Sequence, residues 1–373
     1  MRKKILVFVN SLANGGGEKA AADLANTFYA HNENISILII EDKIVYNINK
    51  GIKINFNTGI KKNKLYSLPL IRDLVSSIHL YKIIKDDEVD TVISHLSRAN
   101  YINGITRLFV RYDAILVTHG SVNKYKSKLS IKNTINLCLI KYILLSSYCK
   151  RIFLTTRMKE SYLSLKKCDN NNVVTNCLNI RNIISSSECT QEEVNLPRDF
   201  FIFVGRLNKI KNVHDIISVF KEVKNESLVI LGDGPELEYL RLHAGNSENI
   251  VFLGAKKNPY PIMKKAKGLI LASSSEGFPN VLLESLSLNV PIITTDCETG
   301  PREILDINNT IKENYIKNDI GVLYAYKSIS GLRAVIKDFS SFSFSKHAMS
   351  SRANEYDSNN IYKEYKKLIY DKS

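Results

Sequence analysis

The sequence predicts an α/β protein made of two doubly wound parallel sheets. Short β-branched runs alternate with helical patterns through both halves of its 373 residues, as expected where helices connect neighbouring strands. These runs lack polar alternation, so both faces of each strand should be covered by helices. A polar stretch with neither helical nor strand periodicity, residues 185–197, separates the halves. Two domains follow, and their facing strand ends would enclose a ligand cleft.

The predicted strands are short apolar runs. In the first half they are residues 5–9, 35–40, 89–94, 114–118, 151–154 and 172–175, and in the second half residues 201–204, 227–231, 250–253, 268–272 and 291–294. We expect the domain boundary within 181–198, which gives domains 1–180 and 181–345. The remaining residues, 346–373, predict two short helices, of which the last can cross back onto the N-terminal domain.

Composition is typical of a globular protein, with 44% apolar and 24% charged residues. No apolar stretch is long enough to span a membrane, and residues 5–9 are too few for a signal-peptide core. The six cysteines show neither paired nor metal-like spacing. We therefore expect a reduced, cytoplasmic chain without structural zinc.

The positive charge is concentrated in the first half of the chain. Residues 1–180 carry 27 Lys and Arg against 13 Asp and Glu, whereas residues 181–373 carry 25 against 24. This asymmetry predicts a negatively charged partner for the N-terminal half, namely anionic lipid, a diphosphate-bearing acceptor or nucleic acid. Lys/Asn/Ile compositional drift is the alternative. Nucleic acid is disfavoured because no aromatic platform interleaves the lysines and no recognition-helix module is evident.

The most informative motif places Glu276 and Glu284 eight positions apart around a Gly-Phe-Pro turn. Pro279 suits a first helical turn, so backbone N–H groups of 277–280 should form an anion site at a helix N-terminus. We expect Glu276 to face a sugar, the N–H groups to hold diphosphate, and Glu284, about two turns further on, to accept from ribose hydroxyls. A surface helix with ordinary capping charge is the alternative.

Two other loops follow predicted strands and open helices. The first contains Gly16 and Gly17 in a run of three glycines, but it lacks the spacing of a Walker loop or a dinucleotide fingerprint, and a loop without ligand is equally compatible. The second contains Arg206 and Lys211 after Gly205. A planar fork and a mobile ammonium suit diphosphate oxygens without a metal, and no Asp-x-Asp pair ends a strand. Solvated helix charges are the alternative.

Three further features carry weaker signals. Gly254 and Lys256, with Tyr260, could line a pocket for a base. His119 ends a predicted strand, where a lone histidine is more often structural than catalytic, and His95 has a similar position. Residues 131–147 predict a basic amphipathic helix, which could lie on an anionic membrane or pack on the sheet; the surrounding cations are Lys124, Lys126, Lys128, Lys132, Lys141, Lys150 and Arg151.

These pieces together resemble glycosyltransferase family 4, retaining enzymes of GT-B architecture with two facing Rossmann-like domains. The resemblance covers nearly the whole chain and is strongest over residues 203–305. It implies that Arg206 and Lys211 bind diphosphate, with the glycine loop near the phosphates. It also implies that Glu276 and His119 contact the donor sugar and Glu284 the ribose. The implied donor-binding set is Gly16, Gly17, Gly205, Gly254, Lys256, Gly277, Phe278, Pro279, Asn280, Leu282 and Glu284.

Residues 257–260 and 295–305 narrow the resemblance to members that transfer a hexose or N-acetylhexosamine to lipid-linked saccharides of bacterial surface polysaccharides. The implied donor is a nucleotide diphosphate sugar, expected to be UDP-linked, with no cofactor or metal. The implied acceptor is a polyprenyl-diphosphate-linked saccharide at the inner face of the plasma membrane. Two departures affect the acceptor side and the hinge: Gly120 replaces a frequent aspartate, and Asn176-Cys177 replaces Asn-Pro. The alternatives are a nucleotide-sugar epimerase of related fold and a non-enzymatic nucleic-acid-binding protein.

Overall fold

The computed structural model describes residues 2–13, 15–56, 69–126, 130–189 and 195–371, without the side chains of residues 69, 70, 124, 126, 131 and 132. The chain forms two compact units. The first unit comprises Met1–Cys177 with Ser358–Ser373, and the second comprises Leu178–Asp357.

The first unit contains a seven-stranded sheet in the order β3-β2-β1-β4-β5-β6-β7, with all neighbours parallel. Its strands are β1 Lys4–Val9, β2 Asn34–Ile39, β3 Lys53–Phe56, β4 Thr91–His95, β5 Asp113–Thr118, β6 Lys150–Phe153 and β7 Asn171–Val173. Its helices are α1 Gly16–Ala30, α2 Pro69–Asp86, α3 Ser97–Thr106, α4 Asn123–Lys126, α5 Ile131–Leu139 continued by a π-helical turn Ile140–Leu144, α6 Thr156–Leu163 and α15 Ser358–Tyr370.

The second unit contains a seven-stranded sheet in the order β10-β9-β8-β11-β12-β14-β13, parallel except for the edge strand β13. Its strands are β8 Phe200–Val204, β9 Ser227–Leu231, β10 Ile250–Gly254, β11 Gly268–Leu271, β12 Ile292–Thr295, β13 Tyr315–Lys317 and β14 Gly321–Tyr324. Its helices are α7 Ile180–Ser187, α8 Val213–Glu222, α9 Leu237–Ala244, α10 Tyr260–Met263, α11 Asn280–Ser287, α12 Pro301–Leu305, α13 Ile329–Asp338 and α14 Lys346–Glu355, with 3₁₀ turns at Lys209–Lys211 and Phe339–Ser341.

Both cores consist of the apolar strand runs and the helix faces that cover them. The central strands β1, β4, β8 and β11 are buried along almost their whole length. Since a strand buried on both faces needs helices above and below it, the continuous apolar runs specify a doubly wound sheet in each unit. None of the described helices is both long and apolar enough to cross a bilayer.

The unit boundary differs from the predicted one. The first unit ends at Cys177, and the segment expected to be a polar connection begins with α7 of the second unit. Asn179 caps this helix by accepting from the Asn182 N–H at 3.0 Å, and its face containing Ile180 and Ile183 is buried. Residues 190–194 of the predicted boundary lie outside the described residues.

The two C-terminal helices belong to different units. Helix α14 packs on α11 in the second unit, whereas the expected placement grouped it with the last helix. Helix α15 packs on α1 in the first unit, as expected for a last helix that crosses back. Tyr362 and Tyr370 both donate to the carboxylate of Glu33, at 2.5 and 2.6 Å, and Phe28 packs edge-on against Tyr362. These contacts fix α15 to the first unit.

Each sheet reverses its strand order next to its first strand. In the first unit the reversal lies between β1 and β4, and in the second between β8 and β11. Ligands of open parallel sheets bind beyond the carboxyl ends of the strands at such a point. The loops after three of these strands, β1, β8 and β11, together with the helices that they open, contain most of the predicted site residues.

Candidate active site

The loop after β8 places Arg206 and Lys211 at the strand reversal of the second unit. The 3₁₀ turn Lys209–Lys211 is fixed to the end of β11, because the Ser274 N–H donates to the Ile210 carbonyl at 2.8 Å and the Asn212 amide donates to the Ala272 carbonyl at 3.0 Å. Arg206 is exposed, and its guanidinium has no hydrogen-bond or ion-pair partner among the described residues. It is therefore available to an anion.

Two glycines after β9 hold the Arg206 loop in place. A Cβ on Gly232 would lie 1.9 Å from the Gly205 carbonyl oxygen, and a Cβ on Gly234 would lie 2.2 Å from that of Leu207. The Leu207 N–H donates to the Asp233 carbonyl at 2.9 Å. Because only glycine permits this approach, the Gly-Asp-Gly turn supports the Arg206 loop in addition to turning the chain.

Lys211 forms an ion pair with Glu276. Lys211 Nζ lies 2.6 Å from Glu276 Oε1, and the two side chains are 21% and 12% exposed. The pair brings together two residues predicted to have separate roles, one on phosphate and one on the sugar. An ammonium has three N–H donors, so one bond to Glu276 leaves two for another acceptor.

The turn between Glu276 and α11 is packed against the loop after β12. Gly300 has φ +92°, and a Cβ there would lie 2.6 Å from Pro279 Cδ and 3.2 Å from the Gly277 carbonyl oxygen. The Thr299 hydroxyl donates to the Glu276 carbonyl. The backbone N–H groups of Gly277 and Phe278 donate to no other described residue. The turn is thus fixed from one side with two backbone donors unused.

Helix α11 begins one position later than expected. Pro279 is its N-cap residue with extended backbone, and Asn280 is the first helical residue. Glu284 therefore lies about one turn into the helix, and Glu276 lies before the helix begins, so two helical turns do not separate the carboxylates as expected. Glu284 is 8% exposed, and the Tyr260 hydroxyl donates to its Oε1 at 3.5 Å. The structure thus places the first residue of α10 beside the second glutamate.

Other members of the predicted set have differing environments. The Leu282 side chain is fully buried and its N–H donates to the Pro279 carbonyl, so this residue serves the packing of α11. Phe278 is buried against Tyr356, with ring centroids 5.4 Å apart. Gly254 has φ +68° with open space around its Cβ position, and Lys256 is exposed.

The glycine loop of the first unit opens α1. Gly15 is the N-cap residue, Gly16 is exposed, and a Cβ on Gly17 would lie 2.5 Å from Leu96 Cδ2 and 3.4 Å from His119 Cγ. The close approach at Gly17 explains the glycine there by packing. Asn14 lies outside the described residues.

His119 is hydrogen-bonded to His95. The strands β4 and β5 are parallel neighbours, and His95 Nδ1 lies 2.9 Å from His119 Nε2. His95 is only 2% exposed and His119 is partly exposed. Burial lowers the pKa of His119 to about 4, and burial together with His119 lowers the pKa of His95 well below its usual range. Both rings are therefore neutral at neutral pH.

A family model matches the part of the chain that forms most of the second unit. The model for glycosyl transferases group 1 covers residues 188–354. An uncharacterised glycosyltransferase of Methanocaldococcus jannaschii is 30% identical over 294 residues, which cover 72% of this chain and 70% of that protein. The chain is a glycosyltransferase.

Other relatives and solved structures resemble this glycosyltransferase over most of its length. An N-acetylgalactosamine-N,N'-diacetylbacillosaminyl-diphospho-undecaprenol 4-alpha-N-acetylgalactosaminyltransferase of Campylobacter jejuni is 28% identical and covers 81% of this chain and 83% of its own. The lipopolysaccharide outer core galactosyltransferase WaaB has a TM-score of 0.72 at 19% identity, covering 98% of this chain and 99% of its own. Anabaena HepE in complex with UDP and glucose has a TM-score of 0.76 at 16% identity over 100% of both chains. These structures confirm the expected GT-B fold class.

The basic helix of this glycosyltransferase is more exposed than a sheet-packed helix would be. Ile135 is 53% and Tyr142 72% exposed. A shallow groove of about 260 Å³ is lined by Thr134, Ile135, Cys138, Leu139, Tyr142 and Ile143. Lys128 lies outside the described residues, and the side chains of Lys124, Lys126 and Lys132 are not described. Ile135 and Tyr142 on the apolar face are thus exposed, which contradicts the alternative that these two side chains pack against the sheet.

Sequence reasoning missed the residues that support the site. It assigned no role to Gly300, although a glycine directly before Pro301 at a helix start marks a special turn. It noted His95 and His119 at similar strand ends without pairing them, because pairing requires the knowledge that β4 and β5 are neighbours. Among the described residues, no group of three or more His, Cys, Asp or Glu is arranged to hold a metal ion.

Proposed function

We propose that this chain is a retaining, metal-independent family 4 glycosyltransferase. It moves a hexose or N-acetylhexosamine from a nucleotide diphosphate sugar, UDP-linked, to a polyprenyl-diphosphate-linked saccharide during bacterial surface polysaccharide synthesis. The proposal is supported by the activities of similar proteins. One of them, from Campylobacter jejuni, transfers N-acetylgalactosamine to a diphospho-undecaprenol-linked saccharide, and another is the lipopolysaccharide 1,6-galactosyltransferase of Escherichia coli.

The observation that carries the proposal is the group of donors around the Lys211–Glu276 pair. An exposed Arg206 guanidinium, the Lys211 ammonium and two unused N–H groups, of Gly277 and Phe278, are all in loops beyond the carboxyl ends of β8 and β11. Cations and backbone donors of this kind suit a diphosphate that gains negative charge as it leaves. In the proposal Glu276, held by Lys211, accepts from a sugar hydroxyl.

The proposed chemistry requires no protein nucleophile. The bond from the sugar C1 to the diphosphate oxygen breaks, and a bond from C1 to the acceptor oxygen forms on the same face, which retains the anomeric configuration. The acceptor proton passes to the departing phosphate oxygen. The side chains then act by positioning and by stabilising charge, with Arg206 and Lys211 on the diphosphate and Glu284 on the ribose.

We further propose that the first unit binds the cytoplasmic face of an anionic membrane peripherally. The support is its positive charge together with the exposed apolar groove around Ile135 and Tyr142. Apolar side chains flanked by cations favour the interface of an anionic bilayer. Such a position would bring the enzyme to a lipid-linked acceptor.

Product analysis tests the proposed function. The purified chain is incubated with UDP-sugars and a polyprenyl-diphosphate saccharide in the presence of a chelator, and the product linkage is determined by NMR. We expect a product of retained configuration. An inverted product would overturn retention, loss of turnover on chelation would overturn metal independence, and an isomerised donor without acceptor would indicate an epimerase.

A further inference from the structure

The two histidines of the first unit share a single proton between their facing nitrogens. His95 Nδ1 and His119 Nε2 are 2.9 Å apart, a hydrogen-bond distance at which one nitrogen donates and the other accepts. The rings are tilted by 37° with centroids 5.1 Å apart, so they do not stack face to face. The tautomer of one ring therefore determines the tautomer of the other.

The burial of His95 indicates which nitrogen donates. Its other nitrogen, Nε2, is buried and has no hydrogen-bond partner among the described residues. If His95 were protonated there, a buried N–H would be left unpaired, and orphaned donors are rarer in proteins than under-satisfied acceptors. The proton is better placed on His95 Nδ1, from which it is donated to His119 Nε2. His119 then carries its own proton on Nδ1.

A buried polar network fixes the strand end from which His95 projects. The Ser94 hydroxyl donates to Asn100 Oδ1 at 2.8 Å, and the Asn100 amide donates to the Val117 carbonyl at 2.8 Å. The Asn103 amide donates to Ser94 Oγ at 2.9 Å. The network joins β4 and α3 to β5, so neither histidine-bearing strand end can shift alone.

Leu96, directly after His95, has a strained backbone. Its φ of +73° and ψ of +155° lie in a region that is essentially restricted to glycine. Its side chain packs against Gly17, where a Cβ would lie 2.5 Å from Leu96 Cδ2. Such strain persists where the surroundings over-determine the conformation, and it is common at functional sites.

We propose that His95 is a positioning residue that donates to His119 Nε2 and thereby holds His119 as the Nδ1–H tautomer, a neutral hydrogen-bond donor to a sugar hydroxyl oxygen. The nitrogen that could act as a base is occupied by His95, so His119 orients the sugar without accepting a proton. The identity of the ligand rests on the proposed function, whereas the tautomer does not.

The tautomer is measured by NMR on protein labelled with ¹⁵N in the imidazole rings. His119→Asn identifies the His119 signals among the seven histidines. We expect a protonated Nδ1 and an unprotonated Nε2 for His119 in the wild-type chain. A protonated His119 Nε2 would overturn the proposal without any further variant.

Two substitutions at His95 separate positioning from packing. His95→Asn retains an amide donor near the position of Nδ1, whereas His95→Leu removes it. We expect His119 to remain the Nδ1–H tautomer in the asparagine variant and to become a mixture in the leucine variant. Transfer should fall about tenfold in kcat/KM for leucine and recover for asparagine, because one hydrogen bond is lost in the first only. Equal spectra for the two variants would contradict the proposal.

The spectra also distinguish this inference from the proposed function. If no glycosyl transfer is found but His119 has the expected tautomer, the proposed function fails and the inference holds. If transfer occurs with a protonated His119 Nε2, the inference fails alone. Should His95→Leu not fold, the wild-type spectrum decides.

Discussion

Replacing Gly300 with alanine should disturb the turn that presents the Gly277 and Phe278 N–H groups. The new Cβ would lie 2.6 Å from Pro279 Cδ and 3.2 Å from the Gly277 carbonyl oxygen, well inside van der Waals contact. Gly300 also has φ +92°, where a side chain costs on the order of 1–3 kcal/mol. Overpacking adds about 1–3 kcal/mol where the neighbours cannot move.

The turn is expected to shift and relieve part of this cost. We therefore expect a loss of about 2 kcal/mol in the free energy of unfolding, which corresponds to a fall of roughly 4–8 °C in Tm for a unit of this size. Displaced N–H groups should weaken the binding of UDP at least tenfold, because hydrogen-bond strength falls steeply with geometry. Differential scanning calorimetry and titration with UDP measure the two effects.

Gly245→Ala provides the matched control for this prediction. Gly245 also has positive φ, +58°, but the nearest atom to its Cβ position is the Leu242 carbonyl oxygen at 4.0 Å. It ends α9 rather than a predicted site loop. Its substitution should lower stability through backbone strain alone and leave UDP affinity unchanged. Equal UDP affinity in Gly300→Ala and Gly245→Ala would refute this prediction.

Three other predictions concern the Lys211–Glu276 pair, His119 and the lysines at positions 124–128. In a double-mutant cycle, Lys211→Met and Glu276→Gln should couple by about 1–3 kcal/mol in unfolding free energy, because each substitution leaves a partly buried group unpaired. The exposed pair Lys53–Asp87 serves as the control and should couple by about 0.5 kcal/mol or less. Equal coupling energies for the two pairs would contradict this prediction. As pH falls from 6.5 towards 4, His119 takes up a proton in the unfolded chain but not in the folded one, so the free energy of unfolding should fall. In denaturant titrations, His119→Asn should reduce the slope of unfolding free energy against pH by about 1 kcal/mol per pH unit. An unchanged slope would refute this prediction. Changing Lys124, Lys126 and Lys128 to glutamate should reduce co-sedimentation with anionic vesicles, whereas the same changes at Lys224, Lys265 and Lys337 should have little effect; equal losses would show that only net charge matters.

The central strands could be predicted from the sequence because their burial is continuous. Residues 227–231 were predicted at the bounds that β9 has, and most other long apolar runs were placed within one or two residues. Strand β3 was missed since Lys53–Phe56 is a short edge strand with exposed ends. Strand β14 was also missed. It is buried, but it is only four residues long and begins with glycine, which weakens strand propensity.

The site residues could be predicted only where a short segment of the sequence contains the complete motif. The Glu276–Glu284 motif and the Arg206–Lys211 spacing are local patterns, and the structure places both at the strand reversal of the second unit. The ion pair between Lys211 and Glu276 joins residues 65 positions apart, and the His95–His119 bond depends on strand order. Contacts of this kind come from tertiary packing, which periodicity and spacing do not specify.

Calorimetric titration with UDP in the presence of a chelator tests the central claim most directly. We propose that the Arg206 loop of the second unit binds the diphosphate of the donor. We expect the wild-type chain to bind UDP. Arg206→Ala should weaken the affinity about tenfold or more, because a charge-assisted hydrogen bond contributes on the order of 1.5–3 kcal/mol. The control Arg198→Ala, which removes another exposed arginine, should leave the affinity unchanged. Equal affinities of Arg206→Ala and Arg198→Ala, or no binding by the wild-type chain, would contradict the account.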